Sequence, residues 1–141
     1  MNVPFLNLKA QYHSLKPTMD AALARVIENG EFIGGSELKK FEAAFAQAHE
    51  VRHCIGVGNG TDALFVILKA IGLQPGEYVI CPANSFIATS EATTLAGGRP
   101  LFVDCDATHY SLDLQLLEQA LARAKKEGRR VRAIMPVHLY G

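Results

Sequence analysis

Three glycines at alternate positions precede a threonine in the segment GVGNGTDALF, residues 56–65. The segment follows an apolar run and leads into leucines at helical spacing, so it predicts a strand-to-helix turn. The first N–H groups of a helix have no partner inside it, and together with the helix dipole they attract anions. Gly60 and Thr61 would stand at that helix start, where glycine admits a positive φ and the close approach of a phosphate. We interpret the segment as a candidate phosphate site, in which Asn59 or Thr61 can cap the helix, with a glycine-rich turn that has a capping Thr and no ligand as the structural alternative.

The glycine spacing differs from the two common nucleotide-binding motifs. No Gly-Lys-Ser/Thr follows, as it does in a P-loop. Ala63 stands where the dinucleotide-binding motif has its last glycine. The expectation of a phosphate therefore depends on the helix start and the glycine content, and not on a known motif.

Two further segments place aromatic and polar residues after predicted strands. CPANSFIATSEA, residues 81–92, carries Phe86 near a predicted helix start, and MPVHLYG, residues 135–141, carries His138 and Tyr140. Ligands of open α/β sheets bind at the carboxyl ends of the strands, so we expect both segments at one sheet edge with the glycine-rich turn. An exposed Phe86 ring can stack on a planar ligand. A core position for this ring and a structural role for His138 are the alternatives.

The elements that would position these residues alternate along the chain. Helices are predicted from Pro17 to Gly30, after a cap at Ser36, over 61–71, through 85–96, and from a cap at Asp113 to Gly128. Short apolar strands are predicted at 54–58, 78–82, 100–104 and 131–141, and a loop at 31–35. This alternation favours an α/β layer structure with a largely parallel sheet. Because the chain stops directly after the last predicted strand, we expect it to be a piece of a longer protein.

Composition and charge exclude several classes of protein. Lys plus Arg and Asp plus Glu both number 14 in 141 residues, so the net charge is zero and no nucleic-acid partner is expected. No apolar run is long enough for a membrane span, and the N-terminus does not have the pattern of a secretory signal. The three cysteines lie in strand-like runs without metal-ligand spacing, and we interpret Cys54, Cys81 and Cys105 as buried, reduced thiols of a cytoplasmic protein.

Several segments, in constant order, resemble the N-terminal part of the nucleotide-sugar aminotransferases, which are fold type I enzymes dependent on pyridoxal 5′-phosphate (PLP). The segments are PFLNLKAQYHSLK, GEFIGGSELKKFE, CIGVGNGTDAL, CPANSFIATSEA, PLFVDCD and IMPVHLYG. The resemblance implies a three-layer α/β sandwich with a largely parallel sheet, the aspartate aminotransferase-like large domain. Residues 1–141 would be the N-terminal part of this PLP-binding large domain.

The resemblance also implies roles for the candidate residues. Gly60 and Thr61 would hold the cofactor phosphate, and Phe86 would stack on the pyridine ring. The residues implied near the sugar-nucleotide pocket are Phe32, Gly34 and His138. The family is usually a homodimer with its active site at the subunit interface. Its reaction moves an amino group, here expected from glutamate, to a keto group of a nucleotide-linked sugar in amino-sugar biosynthesis.

The lysine that binds PLP covalently in this family is expected beyond residue 141. None of the chain's lysines lies in the family's lysine context; they are Lys9, Lys16, Lys39, Lys40, Lys69, Lys125 and Lys126. The 141 residues alone are therefore expected to be inactive. A PLP-dependent sugar dehydratase, which has His in place of that lysine, stays open. So do two functions without catalysis, a phosphate-binding α/β module and a regulatory paralogue that lacks the lysine.

Overall fold

A computed structural model describes residues 3–139 of the chain. The chain forms two compact units, and the boundary between them lies between Gly56 and Val57. The helices of the described residues are α1 Leu8–Asn29, α2 Ser36–Ala48, α3 Gly60–Ala70, α4 Ala88–Leu95 and α5 Leu114–Lys126, and the strands are β1 Tyr78–Pro82, β2 Arg99–Val103 and β3 Val131–Ile134. No helix in this range combines the length and the apolar character that crossing a membrane requires.

The first unit consists of α1 and α2, and the predicted start of α1 is wrong. Pro17 lies inside α1, which begins nine residues earlier where the Asn7 side chain accepts a hydrogen bond from the N–H of Ala10 at 3.0 Å. Proline removes one backbone hydrogen bond from a helix. Side chains bridge the turn around Pro17, because Tyr12 donates to the Asp20 carboxylate at 3.1 Å. The local signal of Pro17 was therefore outweighed by a cap and by contacts across that turn.

The C-terminal end of α1 and the N-terminal end of α2, on either side of the 31–35 loop, are capped in different ways. Gly30 ends α1 in the left-handed conformation, with φ of 66°, as predicted. Ser36, predicted as the cap of α2, is instead the first helical residue. Its N–H and its hydroxyl donate to the Glu31 carboxylate at 3.0 and 2.6 Å. These bonds from Ser36 lower the pKa of Glu31.

The second unit is built around a three-stranded parallel sheet in the order β2–β1–β3. Neighbouring residues of a strand face opposite sides of the sheet. Val79 of β1 belongs to a core with α3 and α4, whereas Ile80 belongs to a core with Ala120 of α5. The sheet is therefore the middle of three layers, and the prediction of an α/β fold with a parallel sheet is confirmed.

The order of the strands explains why α4 and α5 cover different faces. The chain passes from β1 to β2 through α4, and then back past β1 to β3 through α5. Crossovers of one hand that run in opposite directions along a sheet place their helices on opposite faces. Both connections start at the carboxyl end of the sheet, so the loop that follows β1 is held at that edge.

One strand prediction is wrong, and another is too long. Residues 54–58 form no strand. The N–H of Gly56 donates to the Glu42 carboxylate at 2.8 Å, and Ile55 is exposed. An apolar run becomes a strand only where a neighbouring strand pairs with its backbone groups. The last strand ends at Ile134: Met135 still donates to the Ile80 carbonyl at 2.8 Å, but Pro136 has no N–H to continue the ladder. Tyr140 and Gly141 lie outside the described residues.

The cysteines are free, but only one of them is buried. Cys81 lies within β1, and burial raises the pKa of its thiol to about 11. Cys54 and Cys105 are only half-buried. The prediction of three buried thiols is therefore correct for Cys81 alone, because the run around Cys54 is not a strand and Cys105 follows the end of β2.

Candidate functional site

A cavity of about 570 Å³ opens at the carboxyl end of the sheet in the second unit. Three parts of the chain line it: the start of α3, the segment between β1 and α4, and the segment after β3. Four residues from the sequence analysis are among its lining residues, namely Gly60, Thr61, Phe86 and His138. The volume lies within the range of small-molecule sites, roughly 300–1,000 Å³.

The start of α3 presents two backbone donors. The Asn59 side chain accepts a hydrogen bond from the N–H of Asp62 at 2.9 Å and donates to the Asp62 carboxylate at 3.0 Å. The next N–H, of Ala63, donates to the Asn59 carbonyl at 3.1 Å. Within residues 3–139, this leaves the N–H groups of Gly60 and Thr61 without an acceptor. Both donors lie at the positive end of the helix dipole, so they can bind an anion.

The glycines that lead into α3 are not there for a left-handed backbone. Gly56, Gly58 and Gly60 all have ordinary φ values, so the expectation of a positive φ is wrong. A Cβ on Gly58 would lie 2.8 Å from a carboxylate oxygen of Asp62, whereas a Cβ on Gly60 would meet no atom within 4 Å. Neither strain nor packing within the described residues requires glycine at position 60. What the glycine leaves is open space beside the two free N–H groups, as the approach of a phosphate needs.

Phe86 is not a core residue. It lies in the loop between β1 and α4, and its side chain is 72% exposed. The ring lines the same cavity as the start of α3 and can stack on a planar ligand there. Residues 3–139 therefore do not bury Phe86 in a core.

Within residues 3–139, the groups at the cavity that can attract an anion are neutral donors. Among the described residues that line the cavity, His138 is the one with a titratable side chain, and it is exposed. No Lys or Arg of this part of the chain lines the cavity. The backbone N–H groups, the Thr61 hydroxyl and the helix dipole are the groups available to balance a phosphate.

Sequence reasoning missed two hydroxyl residues of this cavity. Ser85 and Thr89 both line it, and their side-chain oxygens are 2.6 Å apart. The available signal was the spacing of four residues between two hydroxyls on either side of a helix start. Phe32 and Gly34 belong to the first unit, in the 31–35 loop, where Phe32 is exposed and Gly34 has φ of +73°. Their placement near a sugar-nucleotide pocket stays a prediction.

Comparison with known proteins gives the family. Residues 13–141 match the DegT/DnrJ/EryC1/StrS aminotransferase family. The chain belongs to this family. The resemblance to aminotransferases found in the sequence is thereby confirmed.

Relatives in the DegT/DnrJ/EryC1/StrS family are similar over nearly the whole chain. The dTDP-3-amino-3,4,6-trideoxy-alpha-D-glucose transaminase of Streptomyces venezuelae is 43% identical over 99% of this chain and 35% of its own length. A solved aminotransferase of the family from Brucella abortus has a TM-score of 0.93 and 38% identity, over 99% of this chain and 38% of the solved one. NtdA of Bacillus subtilis, solved with bound cofactor PMP, has a TM-score of 0.85 and 34% identity, over 99% of this chain and 31% of its own. The chain thus spans about a third of the length of these relatives.

Proposed function

We propose that the complete protein containing these residues is a PLP-dependent aminotransferase acting on a keto group of a nucleotide-linked sugar, in amino-sugar biosynthesis. Residues 1–141 would be the N-terminal part of its PLP-binding large domain. One observation carries the proposal: a single cavity joins two unpaired N–H groups at the start of α3 with the exposed ring of Phe86. The first feature suits a phosphate and the second suits a planar ring, which are the two parts of PLP.

Gly60 and Thr61 would bind the cofactor phosphate. Their N–H groups would donate to phosphate oxygens, and the Thr61 hydroxyl would add a third bond. Hydrogen bonds to a charged group contribute about 1.5–3 kcal/mol each. The open space beside Gly60 supports this role, because a phosphate oxygen could reach the amides there without displacing a side chain.

Phe86 would hold the pyridine ring, and His138 would line the floor of the substrate side. When bound, PLP supplies an electron sink that stabilises negative charge at the carbon carrying the amino group. Phe86 would fix the plane of that ring and exclude water from one of its faces. The imidazole of His138 can accept or donate a hydrogen bond, which suits a sugar hydroxyl. Phe32 and Gly34 would lie near the sugar nucleotide.

We also propose a cytoplasmic homodimer that uses glutamate as its amino donor. Large apolar side chains are exposed on both helices of the first unit, including Leu15, Met19 and Leu23 of α1 and Phe41 and Phe45 of α2. Exposed apolar surface of this kind supports a subunit interface. Light scattering of the complete protein tests the dimer, and a strictly monomeric active protein would contradict it.

The function is tested on the complete protein. We expect PLP to stay bound through desalting, as followed by its near-visible absorbance, and glutamate to aminate one of a panel of nucleotide-linked keto sugars. Failure to retain PLP would favour a phosphate-binding module instead. Retention of PLP without any turnover would favour a regulatory paralogue, and loss of water from the sugar without amination would favour a dehydratase.

A further inference from the structure

The loop between β1 and α4 carries Phe86 between two hydroxyl side chains. Ser85 Oγ and Thr89 Oγ1 are 2.6 Å apart, a normal distance for an O–H···O hydrogen bond. Thr89 is 6% exposed, whereas Phe86, which lies between the two hydroxyl residues in sequence, is 72% exposed. The hydrogen bond beside this exposed residue is partly buried.

The backbone carbonyl of Phe86 joins the same network. It accepts a hydrogen bond from the N–H of Thr89 at 3.2 Å and a longer one from Ser85 Oγ at 3.4 Å. When Thr89 donates to Ser85 and Ser85 donates to the Phe86 carbonyl, both hydroxyl hydrogens have an acceptor. Phe86 is therefore tied through its own backbone to the residues on either side of it.

Two threonines further along α4 use their hydroxyls differently. Thr93 and Thr94 each donate to the carbonyl four residues earlier, at 3.1 Å, which is the usual bond of a threonine inside a helix. Thr89 instead bonds to a side chain outside the helix, in the loop that carries Phe86. The hydroxyl of Thr89 therefore bonds α4 to the loop between β1 and α4. Thr93, which is fully buried on the same helix, ties the helix only to itself and is a matched control.

We propose that the Ser85–Thr89 pair is a positioning device that holds the Phe86 ring in place to receive a planar ligand. This inference rests on the proposed function of the cavity. A group that is fixed before its ligand arrives loses less conformational freedom on binding, so the complex is tighter. Ser85 and Thr89 would raise the affinity for PLP by acting through Phe86.

The test is a double-mutant cycle on the complete protein, with the dissociation constant of PLP as the readout. We expect Thr89→Val to weaken PLP binding about two- to tenfold and by no more than Phe86→Ala does, because the pair acts through the stacking contribution of that ring. Thr89→Ser keeps the hydroxyl and should bind as the wild type does, and Thr93→Val should also leave affinity unchanged. In a Phe86→Ala background, Thr89→Val should have no further effect, because the residue through which it acts is gone.

A second readout is hydrogen exchange without PLP. It shows whether a variant has loosened this loop locally, and Thr93→Val controls for a general loss of stability. Without ligand, Thr89→Val and Ser85→Ala should speed hydrogen exchange at the Thr89 amide, whereas Thr93→Val should not. Unchanged exchange in both variants would overturn the inference. An equal loss of PLP affinity from Thr89→Val with and without Phe86 would also overturn it. If the wild type binds no PLP, the proposed function fails and this inference with it; if the wild type binds PLP and Thr89→Val binds as tightly, this inference alone fails.

Discussion

Two glycine-rich segments of this chain look similar in sequence but need glycine for different reasons. In the 31–35 loop, Gly34 and Gly35 have φ of +73° and +94°, a region that other residues rarely adopt. A Cβ on Gly35 would also lie 2.7 Å from the Cβ of Glu31. In the segment before α3, all three glycines have ordinary φ values, and a Cβ on Gly60 would meet open space.

The comparison separates a glycine that the folded backbone requires from one that it does not. Gly35 is required by its own conformation, so replacing it should cost stability. Gly60 leaves space beside two free N–H groups, so replacing it should cost binding. Substitutions in the two segments therefore test whether each glycine serves folding or binding, which the number of glycines in a segment does not show.

The largest effect is expected for Gly60→Val in the complete protein. Its side chain would fill the space beside the N–H groups of Gly60 and Thr61, and losing two bonds to a phosphate of about 1.5–3 kcal/mol each lowers PLP affinity at least about 100-fold. Stability should change little, because the φ of Gly60 is ordinary and a Cβ there meets no atom within 4 Å. Fluorescence titration with PLP and thermal unfolding by circular dichroism measure the two quantities. Unchanged affinity with an intact fold would mean that the turn is only a structural bend.

Gly35→Ala should have the opposite result. We expect the free energy of unfolding to fall by about 2–4 kcal/mol, from the glycine-only backbone conformation and the contact with Glu31. Gly34→Ala is the matched control, since its φ is positive but a Cβ there meets nothing within 4 Å, and about 1–2 kcal/mol is expected. Chemical denaturation measures both. A neutral Gly35→Ala would remove the distinction between the two segments.

Thr61→Ala should weaken PLP binding about ten- to a hundredfold. The change removes one hydroxyl donor to a charged group, about 1.5–3 kcal/mol, and leaves the two N–H groups in place. Thr61→Ser keeps the hydroxyl and is the control. A dissociation constant that is the same in Thr61→Ala, Thr61→Ser and the wild type would exclude the hydroxyl from the phosphate site.

Phe86→Ala should have a smaller effect than either change at the start of α3. Aromatic stacking adds only about 0.5–1.5 kcal/mol beyond burial, or roughly two- to tenfold in affinity. The inhibition constant of inorganic phosphate, measured by its competition with PLP, should be unaffected, since Phe86 would contact the ring and not the phosphate. If Phe86→Ala weakened phosphate binding as much as PLP binding, the division of the cavity into a phosphate end and a ring end would be wrong.

The smallest effect concerns pH and the helices around the 31–35 loop. Arg25 of α1 and Lys40 of α2 bind the Glu37 carboxylate at 3.1 and 2.8 Å, and these bonds lower its pKa to about 2. Since the pKa is lower in the folded state, the stabilisation is present above the unfolded value of about 4.3 and is lost as the pH falls through about 2. Urea unfolding of wild type and Glu37→Gln should therefore differ slightly at pH 7 and converge towards pH 2. A difference that stayed constant down to pH 2 would contradict this assignment.

Several parts of the fold could be predicted because their signals are local. Asp113 caps α5, and its side chain accepts from the N–H groups of Gln115 and Leu116 at 2.8 and 2.9 Å. Gly30 ends α1, and the predicted strand at 78–82 is β1. A cap, a left-handed glycine and an apolar run between turns each act within a few residues, so the sequence alone indicates them. The placing of Gly60, Thr61, Phe86 and His138 at one sheet edge followed from the parallel α/β alternation.

Only the tertiary structure decided the features that depend on distant partners. Residues 54–58 have the composition of a strand but no neighbouring strand in the described residues. The sequence determined that glycine stands at position 60, but not that its φ is ordinary and that space remains beside it. Hydrogen bonds and empty volume depend on which groups meet, and that is set by how the layers pack.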